Sequence, residues 1–284
     1  LDGWAVLAVA ALGLAAGTLG GMLGVGGSML MIPGLVMILG RSTGAEQHVY
    51  QAAAMGANVA VAVPAALRHR KSGAMTPAAL RWMLPGAVGC VVLGVGLSNL
   101  PVFRGERGGV WLGRGLAVLL VYMIAMNLRK LWAAERAGKR AQAEAGDAPE
   151  AAGGATPGRG LTVGVVMGTV AGLLGIGGGA IAVPLQQALM RLPVRSCIAN
   201  SSAVICGSAA VGALYKNLTL TTHTPAAGPT LSGWEGVTLM LILAPTAWAG
   251  GRLGASLTHR LPLRLLRGLL ILLLTAAAWK MAAL

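Results

Sequence analysis

Charge is scarce in this sequence, and acid scarcer than base. Lys, Arg, Asp and Glu together make up 11% of the chain, and only 8 of its 284 residues are Asp or Glu. A soluble domain carries roughly 25% charge, so a water-exposed fold is excluded on composition. Apart from Glu46 and Glu235, which stand near the ends of apolar runs, no carboxylate lies inside one. That argues against a buried Asp/Glu proton relay or a cation path, and it leaves a buried anion without a repelling neighbour. Cysteine is scarce as well. Cys90, Cys197 and Cys206 each sit in an apolar stretch with no CxxC or histidine spacing, so they read as buried thiols rather than metal ligands. No metal site and no cofactor is expected. Alternating strands are missing, which disfavours a β-barrel. No nucleophile–base pair or metal-ligand cluster is visible, so an intramembrane enzyme or receptor is a weak reading.

What is present is apolar sequence: 56% hydrophobic residues, mean hydropathy +0.73 and 44 glycines. Several runs approach the ~20 residues that a helix needs to cross a bilayer. The expectation is an all-α polytopic membrane protein. The formal charge is +14, but the basic residues fall between apolar runs. This is the pattern of topology-setting loops, not of nucleic-acid binding. The first apolar run leads straight into a glycine-rich motif, so it is expected to be structural rather than a cleaved signal.

The chain contains itself twice. Gly13 to Pro33, GLAAGTLGGMLGVGGSMLMIP, matches Gly164 to Pro184, GVVMGTVAGLLGIGGGAIAVP, when 151 is added to each number. Such a period implies two copies of one unit. We divide the chain into a first membrane repeat at 1–132, a polar linker at 133–158 on the cytoplasmic side and a second repeat at 159–284. Each repeat is expected to hold one glycine-broken helical hairpin followed by three membrane-spanning helices. The glycines four apart, Gly13, Gly17 and Gly21 with Gly164, Gly168 and Gly172, would line a helix face and admit a neighbouring backbone.

Loop charge sets the expected orientation. A basic turn, Arg68-His69-Arg70-Lys71, follows the first long span of repeat one, whereas the matching loop of repeat two, expected at 216–232, has only Lys216. By the positive-inside rule the first lies in the cytoplasm and the second outside. Arg104 and Arg107 fit that scheme poorly. The two halves would then be inverted. Each hairpin would start and end on one side, and its roughly 30 residues fall short of the ~40 needed for two crossings. Two short helices meeting inside the membrane are therefore expected, with tilted full spans as the alternative.

A helix interrupted in hydrocarbon strands backbone polar groups, and this is tolerated only where protein or a cavity receives them. Glycine allows the unusual dihedrals and the close approach of a ligand. The second helix of each hairpin would begin at Ser28 or Gly179 and aim its N-terminal N–H groups at the protein centre, which favours an anion. Gly24, Gly26, Gly27 and Ser28 with Gly175, Gly177, Gly178 and Gly179 are thus candidate substrate-binding positions. Gly24-Val25-Gly26 is no dinucleotide fingerprint, since the third glycine and the βαβ context are missing. Asn200, Ser201 and Ser202 open an apolar helix and are further candidates, with helix capping as the alternative. Gln51 and, less directly, Asn58 and Tyr50 follow as their counterparts. His48 could carry a coupling proton, but an interfacial histidine without a transport role is the simpler reading. Arg252 is read as snorkelling to the nearby basic end of its helix, with contact to the anion as the alternative.

The twin glycine clusters, each followed by a proline (Pro33, Pro184), together with the later helices of Pro85 and Pro245, resemble the TauE/SafE (TSUP) family of sulfite exporters over nearly the whole chain apart from 133–158. The family often has a Gly-Thr-Ser-like signature on the helix after the hairpin. The second half has Ala199-Asn200-Ser201-Ser202 there, and the first half departs from it with His48-Val49-Tyr50-Gln51. The resemblance implies a multi-pass protein of the bacterial inner membrane that carries sulfur-containing anions: sulfite, sulfoacetate or other organosulfonates. A secondary transporter, expected to be an exporter working by alternating access, is the leading reading, and an anion channel on the same scaffold is the alternative. No nucleotide-binding loop is present, so this chain alone would not use ATP. The partners expected are a small sulfur anion, the lipid bilayer and a coupling ion, H+ or Na+. Nucleic acid is not expected, and the oligomeric state stays open.

Overall fold

The structure is a computed structural model that describes residues 2–39, 46–103, 105–136, 156–220 and 233–258, with isolated helical positions between 268 and 279. The expected polar turn at 41–45, most of the linker, the loop at 221–232, the basic stretch 259–267 and most of the last span lie outside the described residues.

Nine α-helices form the described part, with no strand among them: α1 (Gly3–Leu23), α2 (Ser28–Leu39), α3 (Glu46–Lys71), α4 (Pro77–Ser98), α5 (Gly105–Arg136), α6 (Pro157–Leu174), α7 (Gly179–Met190), α8 (Val194–Thr219) and α9 (Gly233–Leu257). A short 3-10 turn, Pro101–Phe103, precedes α5. Seven helices are long and apolar enough to cross a membrane, and α2 and α7 are the two shorter ones. The chain is a polytopic all-α membrane protein. Leu7, Leu93, Val118 and Leu241 stand exposed on α1, α4, α5 and α9, where lipid would meet them.

Both hairpins break at their glycines. Gly24 ends α1 at φ 63 and Gly175 ends α6 at φ 74. Gly26, Gly177 and Gly178 continue at φ 87, 72 and 73, a left-handed region closed to most side chains. The arms differ from the expected pair of short helices. The first arms hold 21 and 18 residues, and only the second arms, at 12 residues each, are too short to span. At 1.5 Å per residue those second arms reach about 18 Å.

The glycine stripes hold the helices together across the two halves. A Cβ at Gly17 would lie 2.5 Å from the Ala247 carbonyl, and one at Gly21 would lie 2.6 Å from that of Gly251; Gly13 meets Leu243 and Thr246. In the second half Gly164, Gly168 and Gly172 meet the carbonyls of Met83, Ala87 and Val91 in the same way. So α1 packs parallel to α9, and α6 parallel to α4. Gly56 against Met240 and Gly251 against Val61 make α3 parallel to α9. Gly207 against Leu84 and Gly212 against Val91 make α8 parallel to α4, while Gly212 against Met55 and Lys216 against His48 make it antiparallel to α3. Therefore α1, α3 and α9 run one way, and α4, α6 and α8 the other.

Three sequence expectations need correction. Arg68–Lys71 is the last turn of α3, not a turn between helices, and the chain reverses at Gly73, φ 68. Cationic side chains at a helix C-terminus complement its dipole. Lys216 belongs to α8 and is fully buried rather than in a loop. His48 is likewise fully buried, not interfacial.

Candidate functional site

The two breaks meet halfway along α3, at Asn58. Its Oδ1 accepts a hydrogen bond of 2.8 Å from the backbone N–H of Gly27. A Cβ at Gly26 would lie 2.7 Å from Asn58 Nδ2, and one at Gly177 would collide with the same nitrogen. Gly179, the first residue of α7, faces the first break: its Cβ would stand 2.5 Å from the Gly24 carbonyl and 2.7 Å from that of Val25. Gly24 packs on Ile198 of α8, and Gly175 packs on Gln51 of α3. Side chains would fill this space, which is why the sequence keeps glycine here. Gly26, Gly27 and Gly177 thus meet at one asparagine, with Ser28 next in the chain and Gly179 facing Gly24, whereas Gly175 meets Gln51 two turns away along α3 and Gly178 meets Met167 and Ala171.

The cluster holds unused hydrogen-bonding capacity. Ser28, Gln51 and Asn58 are fully buried, yet Ser28 Oγ, Gln51 Oε1 and Asn58 Nδ2 have no partner among the described residues. Each buried unpaired group costs about 1–3 kcal/mol, so the pair at the first break, Ser28 Oγ and Asn58 Nδ2, and Gln51 Oε1 two turns away beside Gly175 need a reason. Backbone donors lie beside them. The first helical bonds of α2 run from Leu30 and Met31 to the Gly27 carbonyl, and those of α7 from Ile181 and Ala182 to Gly178. The N–H groups of Ser28, Met29, Gly179 and Ala180 therefore point out of their helix ends without an intrahelical acceptor. Two such ends put partial positive charge near one point.

Asn200, Ser201 and Ser202 form a separate knot whose polar atoms are already partnered. Asn200 Oδ1 accepts from the Thr76 N–H at 2.9 Å, capping the start of α4, and Asn200 Nδ2 donates to Gln186 Oε1 at 3.2 Å. Gln186 Nε2 donates to Ser201 Oγ at 3.1 Å, and Ser202 Oγ donates to the Ile198 carbonyl at 2.9 Å. The knot ties the start of α8 to α7 and α4. Arg252 is exposed and lies over the Trp248 ring at 5.9 Å, outside both clusters.

Sequence reasoning missed Lys216. Its Nζ donates to His48 Nδ1 at 2.7 Å, Ser98 Oγ at 2.7 Å and Asn99 Oδ1 at 2.9 Å, tying the end of α8 to the start of α3 and the end of α4. A lysine just past an apolar run reads as a loop residue. The signal that could have found it is the long spacing to polar residues at two other helix ends, which sequence does not connect. A cavity of about 510 Å³ opens near the same end, lined by Tyr50, Glu46, Glu235, Asp2 and Trp234 among others. Its three carboxylates make it a poor berth for an anion. Among the described residues no three of His, Cys, Asp or Glu gather to hold a metal.

Comparison with known proteins matches this sequence to one family. The profile described as "Sulfite exporter TauE/SafE" covers residues 9–281. The "Probable membrane transporter protein MamO" of Magnetospirillum gryphiswaldense is 32% identical over 97% of this chain, and that of Paramagnetospirillum magneticum is 30% identical over 97%. The chain spans 44% of the length of each MamO protein. The "Probable membrane transporter protein YunE" of Bacillus subtilis is 28% identical over 88% of this chain and 87% of its own length. No solved structure matches the chain. The chain belongs to the sulfite exporter TauE/SafE family, a family of membrane transporters and not of enzymes.

Proposed function

We propose that this protein is a secondary transporter that exports a small sulfur-containing anion, sulfite or an organosulfonate, across the bacterial inner membrane. The observation that carries the reading is the meeting of the two glycine breaks, each opening a helix N-terminus, at Asn58 beside two buried, unpaired donors, Ser28 Oγ and Asn58 Nδ2. An oxyanion offers acceptor oxygens and negative charge, which those donors and dipole ends lack; Gln51 Oε1 only accepts and takes no part in that match. The units are two inverted repeats, 1–132 and 159–284, joined by the linker 133–158. Opposite running of α1 and α6, α3 and α8, and α4 and α9 supports that reading, as does the equal register of the two glycine-stripe interfaces. Rocking of one half against the other would open the centre to each side in turn.

The test is counterflow of radiolabelled sulfite in proteoliposomes, preceded by thermal-shift binding to sulfite, thiosulfate, sulfoacetate, taurine and sulfate. Saturable uptake accelerated by unlabelled sulfite on the far side is the expected result. Flux without that acceleration would indicate a channel, and no binding to any of the five would remove the sulfur-anion reading.

A further inference from the structure

Lys216 is a fully buried cation whose every partner is neutral. The direction of each bond can be assigned. Ser98 gives its own hydrogen to the Val95 carbonyl at 2.8 Å, so its oxygen accepts from Lys216. Asn99 Nδ2 donates to Thr219 Oγ1, which turns Oδ1 toward the amine. His48 Nε2 stands 2.9 Å from the Phe103 carbonyl, which only accepts, so Nε2 carries hydrogen and the Nδ1 lone pair of the neutral ring faces Lys216. Three acceptors thus match the three hydrogens of an ammonium group. Among the described side chains near that end, the titratable or charged ones are Glu46 and Tyr50 on α3, Arg107 on α5, Tyr215 on α8 and Glu235 on α9. None is within hydrogen-bond or ion-pair distance of Lys216 Nζ.

A tie between helix ends does not require a charge, and a buried charge without a counter-charge is costly. What Lys216 lacks is a carboxylate in direct contact: Glu46, two residues from His48, lines the neighbouring cavity but does not pair with it. On α3, His48 lies one helical turn from Gln51, and Gln51 packs on Gly175 of the second break. The ammonium therefore stands about one turn beyond Gln51 and Gly175, and nearly three turns, ~15 Å along α3, from Asn58.

We propose that Lys216 is the charge that selects anions in this protein: held off the path by His48, Ser98 and Asn99, it attracts one negative charge at the glycine breaks without touching it. This rests on the breaks being the substrate site. At a separation of ~15 Å and an effective dielectric of about 20, the attraction amounts to roughly sixfold in affinity.

The test compares methanesulfonate with methanesulfonamide, a neutral compound of similar shape, by thermal shift and competition on the purified protein. Wild type is expected to prefer the anion. Lys216→Met should lose about sixfold of that preference, and Lys216→Arg should retain it; Lys216→Gln carries the comparison if the Met variant does not fold. A parallel loss of both compounds would mark a purely structural tie and overturn the proposal, as would an unchanged preference in Lys216→Met. Loss of the preference in a folded Lys216→Arg would also overturn it, since the charge is still there. The sulfur reading fails separately: if only chloride or phosphate stabilises wild type, and does so more than Lys216→Met, charge selection stands and the substrate class changes. Indifference of wild type to every anion overturns the proposal outright.

Discussion

Asn58 is asked to serve both breaks with one amide. Its oxygen closes the first break by taking the Gly27 N–H, and its nitrogen is left open between Gly26 and Gly177. The two atoms can be tested apart. Asn58→Asp keeps an acceptor for Gly27 but replaces the open donor with a negative charge, so sulfite binding should fall by at least about tenfold. Asn58→Ala strands the Gly27 N–H and should lower stability by about 1–3 kcal/mol. Thermal unfolding with and without sulfite separates the two effects. Gly177→Leu adds a side chain at φ 72 against the same nitrogen, so it should abolish counterflow while membrane insertion, followed by fractionation, is kept. The glycines were legible in sequence because they recur at a fixed offset and because glycine there has a backbone meaning. Asn58 was only half legible, because nothing local marks one asparagine of a long helix as central. Lys216 was not legible as a buried group. Its three partners lie more than a hundred residues away in the chain and meet it only after packing.

At the level of the helix, the same residue type does opposite things on one element. On α4, Gly94 meets the Thr169 carbonyl of α6, whereas a Cβ at Gly89 or Gly96 would meet nothing within 4 Å. On the facing helix Gly168 touches the Ala87 carbonyl. Gly168→Val should therefore push α6 from α4 and lower the thermal midpoint strongly, since backbone cannot yield as a flexible side chain can. Gly89→Ala should be neutral or stabilising by up to about 1 kcal/mol, from helix propensity alone. Thermal unfolding of both variants in one detergent makes the comparison, and equal losses would refute the assignment of the stripe. Sequence periodicity identified the stripes on α1 and α6 but not their partners. Of Gly86 and Gly89, three apart on α4, only Gly86 faces another backbone, 3.1 Å from the Leu161 carbonyl. Helix ends were misjudged for one reason. Hydropathy falls at Arg68 and Lys216, but the hydrogen-bonding pattern continues through Lys71 and Thr219.

Across the whole molecule, two polar knots sit at opposite ends of α8, and each crosses between the halves. Asn200 joins the start of α8 to the start of α4 through Thr76, and Lys216 joins its end to the end of α4 and the start of α3. If the halves rock, each knot is a clasp on one side of the membrane, and opening one side requires its clasp to release while the other holds. Sidedness comes first. Ser72, between α3 and α4, and Arg191, between α7 and α8, are exposed near the Asn200 end, whereas Leu100 is exposed near the Lys216 end. Single cysteines at Ser72 and Arg191 should react with a membrane-impermeant maleimide from the cytoplasmic face alone, and one at Leu100 from the opposite face alone. Labelling of all three from one side would end the inverted arrangement. The clasps then predict opposite biases. Asn200→Ala should weaken the cytoplasmic closure and raise the reactivity, from that side, of a cysteine at Ser28. Lys216→Met should raise its reactivity from the other side, because the conformation that survives is the one whose clasp is intact. Matching shifts from one side in both variants would mean that the knots fasten the same gate, and alternating access between these halves would not hold.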